Sequence, residues 1–279
     1  MILTGTLLTL LIKVAITAAT VVAASVAAER AGPVIGGIIV ALPVSAGPGY
    51  VFLAQQASDA FIARSALYSL AMTAATALYL AIYVRIAPYL GALGSVALAL
   101  VPWVIIAALL QRVELAWWIA VILNLVAFPF GLWLTRDSAT VEAPPRQIAS
   151  LRDLLLRALL AGSLVATVVT ASEMIGPRLT GSAVTFPVVL TTLGLIMHHR
   201  YGGHAASRAL RGALLAMPGF SACVLTLHLL AEPLGAVYAL AAALAVSLAA
   251  SALLLLWTQV AKRRRARSKN MVPLSELAD

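Results

Sequence analysis

Glu29-Arg30-Ala31-Gly32-Pro33-Val34-Ile35-Gly36-Gly37-Ile38-Ile39-Val40-Ala41-Leu42-Pro43-Val44 has a partner further along the chain, Glu173-Met174-Ile175-Gly176-Pro177-Arg178-Leu179-Thr180-Gly181-Ser182-Ala183-Val184-Thr185-Phe186-Pro187-Val188. The offset is 173 − 29 = 144 positions, and the shared pattern is E-x-x-G-P-x-x-x-G-x-x-V-x-x-P-V. The same offset, without a gap, places Lys13 on Arg157, Arg64 on Arg208, Gly91 on Gly235 and Leu109-Leu110 on Leu253-Leu254. Alanine and leucine match often between two apolar segments. A glutamate, two prolines and two glycines held in fixed register do not, so the pattern predicts an internal duplication, with units over about 10–111 and 154–255.

The solvent for these units follows from composition. Of the 279 residues, 62% are hydrophobic and 10% are charged, and the mean hydropathy is +1.02. A soluble domain carries roughly 25% charged residues. Lipid is therefore the expected solvent for most of the surface. The formal net charge of +9 sits in loops and in the tail Lys262-Arg263-Arg264-Arg265-Ala266-Arg267-Ser268-Lys269, where it sets orientation rather than nucleic-acid binding. The one cysteine, Cys223, excludes an internal disulfide and reads as a packing residue. The N-terminal apolar run continues past Lys13 and lacks a signal peptide's basic start and cleavage site, so it is expected to be a retained transmembrane helix.

A helix needs roughly 20 apolar residues to cross the hydrocarbon. Continuous apolar runs, without the alternation of a barrel strand, predict nine helices at about 5–28, 33–54, 60–84, 90–111, 115–134, 151–172, 178–198, 206–230 and 235–257. The expected class is an all-α polytopic membrane protein. Residues 1–112 form the first four-helix repeat and 113–136 the connecting transmembrane helix. Residues 137–150 form a cytoplasmic linker, 151–258 the second repeat and 259–279 a basic cytoplasmic tail. One unpaired helix between two even units inverts the second unit. The basic loops at Arg136, Arg146, Arg152, Arg200, Arg208 and Arg211 fall on the side of the tail. The loops near Asp59, Glu114, Glu173 and Glu232 fall on the other. The positive-inside rule then predicts a bacterial inner-membrane protein with its N-terminus outside and C-terminus in the cytoplasm.

Glycine and proline interruptions at matching positions of two halves point to a midplane binding site. Here they predict a small-solute site from Pro43, Gly47, Gly49, Pro187, Thr191 and Thr192, with Thr20 and Thr167 near midspan of the neighbouring helices. The competing meaning is a kink for Pro43 and Pro187 and helix–helix glue for the threonines. Charges within spans are costly and are usually paired. Lys13 and Glu29 lie 29 − 13 = 16 residues apart, as do Arg157 and Glu173, which is roughly 24 Å of helix. With inverted units this predicts two gating ion pairs, Lys13–Glu173 outside and Arg157–Glu29 inside; snorkelling of the two cations to headgroups is the alternative. His228 is a candidate for proton coupling. His198, His199 and His204 bracket a Tyr-Gly-Gly turn without a carboxylate or thiol, so no metal is expected there. Asn124 is expected to be a helix–helix hydrogen bond.

No H-E-x-x-H, G-x-S-x-G or Walker pattern is present, and neither an enzyme nor a cofactor is expected. Phe186-Pro187, the downstream His198-His199, Arg208 in the basic loop and Pro218 in the next helix resemble the GlpM-like proteins, a family of small four-helix bacterial membrane proteins associated with alginate production. The resemblance covers about 80 residues of the second unit. The first unit departs from it, with Leu42 before Pro43 and Thr76 at the place of a later aromatic. It implies a fused, duplicated small membrane unit and transfers no substrate. The function expected is a secondary transporter of a small polar or anionic solute. The alternative is a membrane scaffold or accessory subunit in the handling of envelope polysaccharide or lipid-linked precursors. The expected partners are the lipid bilayer and a small-molecule solute, with no nucleic acid, and small-x-x-x-small spacings such as Gly32 to Gly36 permit a homodimer. Reporter fusions at the two termini are expected to report from opposite sides of the membrane; signals from one side would remove the inversion.

Overall fold

A computed structural model describes residues 2–30, 46–139 and 150–270. The described residues are almost wholly helical, with no strand. The elements are α1 (Ile2–Arg30), α2 (Ala46–Leu53), α3 (Asp59–Ile86), α4 (Ala92–Leu110), α5 (Trp117–Leu134), a 3-10 turn at Arg136–Ala139, α6 (Leu151–Val184), α7 (Val188–Leu234) and α8 (Ala236–Asn270). Among the described residues, five helical stretches are long and apolar enough to cross a membrane, one of them the joined run Leu151–Leu234. This is a helical membrane protein.

Burial divides the helices into two kinds. The apolar window of α3 is 89% buried, while those of α5 and α8 are 22% buried. The exposed faces are large and apolar: Leu98, Val101, Val104 and Ile105 on α4, Leu125, Val126 and Phe130 on α5, Val237, Leu244 and Leu253 on α8. Side chains of that size, exposed in such numbers, require lipid around them. The helix that lipid does not touch is the one with polar groups throughout. Along α3, Ser65, Ser69, Thr73, Thr76, Tyr68, Tyr79 and Tyr83 are all buried. Most of their hydroxyls find partners within the protein.

Contacts at the helix ends fix the directions. At one end Asp59 Oδ1 accepts the Ala236 N–H at 2.8 Å, Tyr68 donates to the Val113 carbonyl, and Arg64 and Arg178 both meet Glu114. At the other, Ser207 Oγ donates to the Val84 carbonyl at 2.8 Å, Arg211 Nε donates to the Thr135 carbonyl and Arg200 pairs with Asp153. Hence α3 and the C-terminal limb of α7 run antiparallel, and α4 and α8 are also opposed. α1 packs on α6, with Val14 against Gly162 and Lys13 linked to Val169 and Ser172 through Gln56.

The run from Leu151 to Leu234 turns back on itself at two glycines. Gly176 has φ 72° and ψ 170°, and Gly202 has φ 79° and ψ 173°, a region that residues with a β-carbon avoid. Pro177 then opens the next limb, where its fixed φ suits the first helical turn. Residues 177–201 cross between the two ends alongside α3. The sequence predicted one helix over about 178–198; the chain instead makes two, interrupted at Thr185–Pro187. The interrupted segment lies close to α3 because glycines face it. A β-carbon at Gly181 would strike the Ser65 carbonyl, and one at Gly203 would strike the Ala87 carbonyl, whereas Gly212 has open space. Overpacking costs about 1–3 kcal/mol. Gly203→Ala and Gly181→Ala are therefore expected to lower thermal stability in detergent, and Gly212→Ala to leave it unchanged or raise it.

Candidate functional site

The break at Thr185–Pro187 divides the segment 177–201 into two short helices. Pro187 supplies no N–H, so the helix before it cannot run through. The freed groups are met locally: Phe186 N–H donates to the Ala183 carbonyl, Val188 N–H to the Phe186 carbonyl at 2.8 Å and Thr191 N–H to the Pro187 carbonyl at 2.8 Å. Thr185 Oγ1 and Ser69 Oγ both donate to the Gly181 carbonyl, each at 2.7 Å. Lipid has no group to offer these atoms, so side chains of the packed helices must do it.

α3 contributes Ser69 to this and lines the rest of the segment with one stripe of polar side chains at helical spacing. Ser69 bonds Tyr50 Oη of α2 at 2.6 Å as well as the Gly181 carbonyl. Thr76 accepts from Trp103 Nε1 of α4, and the Trp103 ring meets Phe186 edge-on at 5.1 Å. Tyr79 Oη bonds Thr191 Oγ1 at 3.0 Å. Tyr83 Oη bonds His198 Nδ1 at 3.2 Å, and Gly194 sits against the Tyr83 ring. The broken segment thus rests on a row of hydroxyls and rings rather than on an oily seam. Each end is also tied by an arginine. Arg178 donates to Glu114 at 3.0 Å and to the Gln111 carbonyl. Arg200 meets Asp153 Oδ2 at 2.7 Å and Ser150 Oγ at 3.1 Å, and Ser150 and Asp153 themselves form the capping box of α6.

The residues predicted from sequence divide between this site and elsewhere. Pro187 and Thr192 are buried at the break, with Thr192 Oγ1 donating back to the Val188 carbonyl. Thr191 is on Tyr79. Gly49 is buried against Val165 and Val184, so α2 reaches the end of the first half-helix. Gly47 has open space around it. Pro43 lies outside the described residues. Thr20 and Thr167 are exposed, and Thr20 donates to the Ile16 carbonyl of its own helix; the structure does not bring them to the break.

The expected outer ion pair is corrected. Lys13 donates to Gln56 Oε1 at 3.1 Å, and Glu173 is exposed with no ion pair to it. Ser172 faces the protein, and the next residue on a helix points about 100° away. Arg157 is half-buried on α6, and the Glu29 side chain lies outside the described residues. His228 Nδ1 lies 2.8 Å from the Ala63 carbonyl. A carbonyl can only accept, so Nδ1 carries the proton and the ring bridges α7 to α3. No group of three or more metal-ligating side chains occurs among the described residues.

Asn124 does join helices. Its Oδ1 accepts from Thr73 at 2.7 Å and Ser221 at 3.1 Å, and its Nδ2 donates to the Leu70 and Ala120 carbonyls. The carboxamide therefore ties α3, α5 and α7 together beneath the break. Removing it leaves buried donors without acceptors, at about 1–3 kcal/mol. Asn124→Ala is expected to lower the unfolding midpoint in detergent. Adding Ser221→Ala should cost less than the sum of the single changes, because the two share one network. Comparison of the chain with protein-family models, curated proteins and solved structures finds no match.

Proposed function

We propose that this chain is a secondary transporter that carries a small polar or anionic solute across the bacterial inner membrane by alternating access, with its N-terminus outside and its C-terminus in the cytoplasm. The observation that carries the proposal is the broken segment 177–201, interrupted at the buried Pro187 and laid along a polar helix between antiparallel partners. Discontinuous helices at the meeting of two halves are where such carriers hold their solutes. The solute site is Pro187, Thr191 and Thr192 with Tyr79 beside them.

The two halves are read as inverted copies of a fused four-helix unit similar to the GlpM-like proteins, with nine crossings in all. Support comes from paired bonds. Val84 accepts from Ser207 and Ala63 accepts from His228. Since 63 + 144 = 207 and 84 + 144 = 228, each donor stands at the repeat position of the other bond's acceptor. Helix starts keep the same register: α4 begins at Ala92 after Gly91, and α8 at Ala236 after Gly235, with 92 + 144 = 236. Two similar halves around one seam can exchange packings, which is what alternating access needs. The gates are the arginine ties, Arg178–Glu114 on the outer side and Arg200–Asp153 on the inner. They replace the Lys13–Glu173 pair.

One feature favours the second class, a scaffold for envelope polysaccharide or lipid-linked precursors. A groove of about 390 Å³ opens between α7 and α8, lined by Leu215, Pro218, Gly219, Ser251, Leu254 and Trp257. The two functions part on access to Thr191. In a Cys223→Ala background, Thr191→Cys is expected to react with a membrane-impermeant maleimide from the outside of right-side-out vesicles and also from the cytoplasmic side of inverted ones. Reaction from neither side would leave the scaffold standing. Glu114 is 81% exposed, so its ties are worth no more than about 1 kcal/mol. Glu114→Gln is expected to raise labelling from the outer side by at most about fivefold and to leave labelling from the inner side unchanged.

A further inference from the structure

We propose that Lys13 and Thr17 bind a small monovalent anion at the seam of α1 and α6, with Gln56 orienting the lysine. The case starts with a face of α1. Lys13, Thr17 and Val21 are buried and lie at four-residue spacing, while Ile12, Ile16 and Thr20 beside them are exposed. The stripe packs against α6, where Gly162 leaves room for Val14.

Lys13 brings a positive charge into that seam and keeps only 8% of its surface exposed. An ammonium has three protons to donate. One goes to Gln56 Oε1 at 3.1 Å. Gln56 is itself held: its Nε2 donates to the Val169 carbonyl at 2.6 Å and to Ser172 Oγ at 3.3 Å. Ser172 Oγ in turn donates to the Val169 carbonyl. The amide is thus fixed with its oxygen toward Lys13, and among the described residues no carboxylate completes the pair. A buried charge needs an opposite one.

Thr17 supplies the independent observation. Thr76, Thr180, Thr192 and Thr226 each return their hydroxyl to the carbonyl four residues earlier, the usual resort of a helical threonine. Thr17 is fully buried, and among the described residues its hydroxyl makes no such bond and meets no other acceptor. One helical turn therefore carries an under-used ammonium and an unused hydroxyl on the same face. Together they are donors without an acceptor, which selects an anion over a cation. Two donors one helical turn, about 5.4 Å, apart can share only a small anion, a halide or a small carboxylate. The site rests on the packing of α1 and α6 and holds whether or not the chain is a carrier.

The test uses the full chain purified in neutral detergent, with ionic strength held by sodium gluconate and then replaced by sodium chloride or sodium acetate. A ligand bound only by the folded form raises its melting point. The wild type is expected to melt a few degrees higher in chloride or acetate than in gluconate, and the better of the two names the class. Lys13→Met and the near-isosteric Thr17→Val should each remove the difference, and Gln56→Ala should reduce it. If Lys13→Met does not fold, Thr17→Val decides alone. Equal melting in all three salts, or a full salt difference retained in Thr17→Val, overturns the site. Stabilisation by added phosphatidylglycerol with none by chloride or acetate also overturns it, in favour of a lipid headgroup. Cysteine labelling at Thr191 is blind to each of these results, so the two proposals fail separately.

Discussion

Inside a bilayer no solvent will take a hydrogen bond, and the architecture of this protein follows from that constraint. A helix broken at Pro187 exposes carbonyls and amides that must be met by the chain itself. They are met by the local turn at Thr185–Pro187 and by Ser69 of α3, which reaches the Gly181 carbonyl, while Tyr79 of α3 holds the Thr191 hydroxyl. A helix so furnished cannot face lipid, so α4, α5, α6 and α7 enclose it, and the apolar side chains move to the outer helices. The break, the polar helix and the oily exterior are three aspects of one requirement.

Much of this was legible in the sequence. Apolar run length located α1, α3, α4 and α5 within a few residues, because crossing length is a property of the bilayer rather than of the fold. Gly176-Pro177 and Gly202-Gly203 fall between predicted helices, and at each site one glycine takes the positive φ of a turn. Asn124, a lone polar group in an apolar run, signals the bond between helices that it makes. The polar stripe of α3 was overlooked, although Ser65, Ser69, Thr76, Tyr79 and Tyr83 fall near a period of 3.6 on one face. That spacing in a helix otherwise apolar is the signal that it is enclosed by protein.

The misplacements have a common physical cause. Spacing along a helix fixes depth but not the direction in which a side chain points. Glu173 is at the right depth for Lys13 but lies one residue round from the buried Ser172, and so points away. Thr20 and Thr167 are at midspan, yet their neighbours Val21, Ala166 and Val168 hold the inward faces. Where a single residue shifts direction by about 100°, depth alone cannot pair charges. The arginine ties escaped notice for a related reason. Arg178 reaches Glu114 and Arg200 reaches Asp153 across loops whose separation in sequence hides their closeness in space.

The enclosure of α3 also bears on how the protein is made. Residues 59–86 leave the ribosome long before 151–234, yet the later residues supply Gly181, Thr191, His198 and Ser221, partners of the earlier helix. For that interval a helix rich in serine, threonine and tyrosine has neither its final neighbours nor water. Insertion must therefore shelter it, either within the translocation machinery or behind α4 and α5, until the second half arrives. A nascent chain cut short after Thr135 would leave these hydroxyls against hydrocarbon, the kind of lesion that membrane quality control is suited to detect.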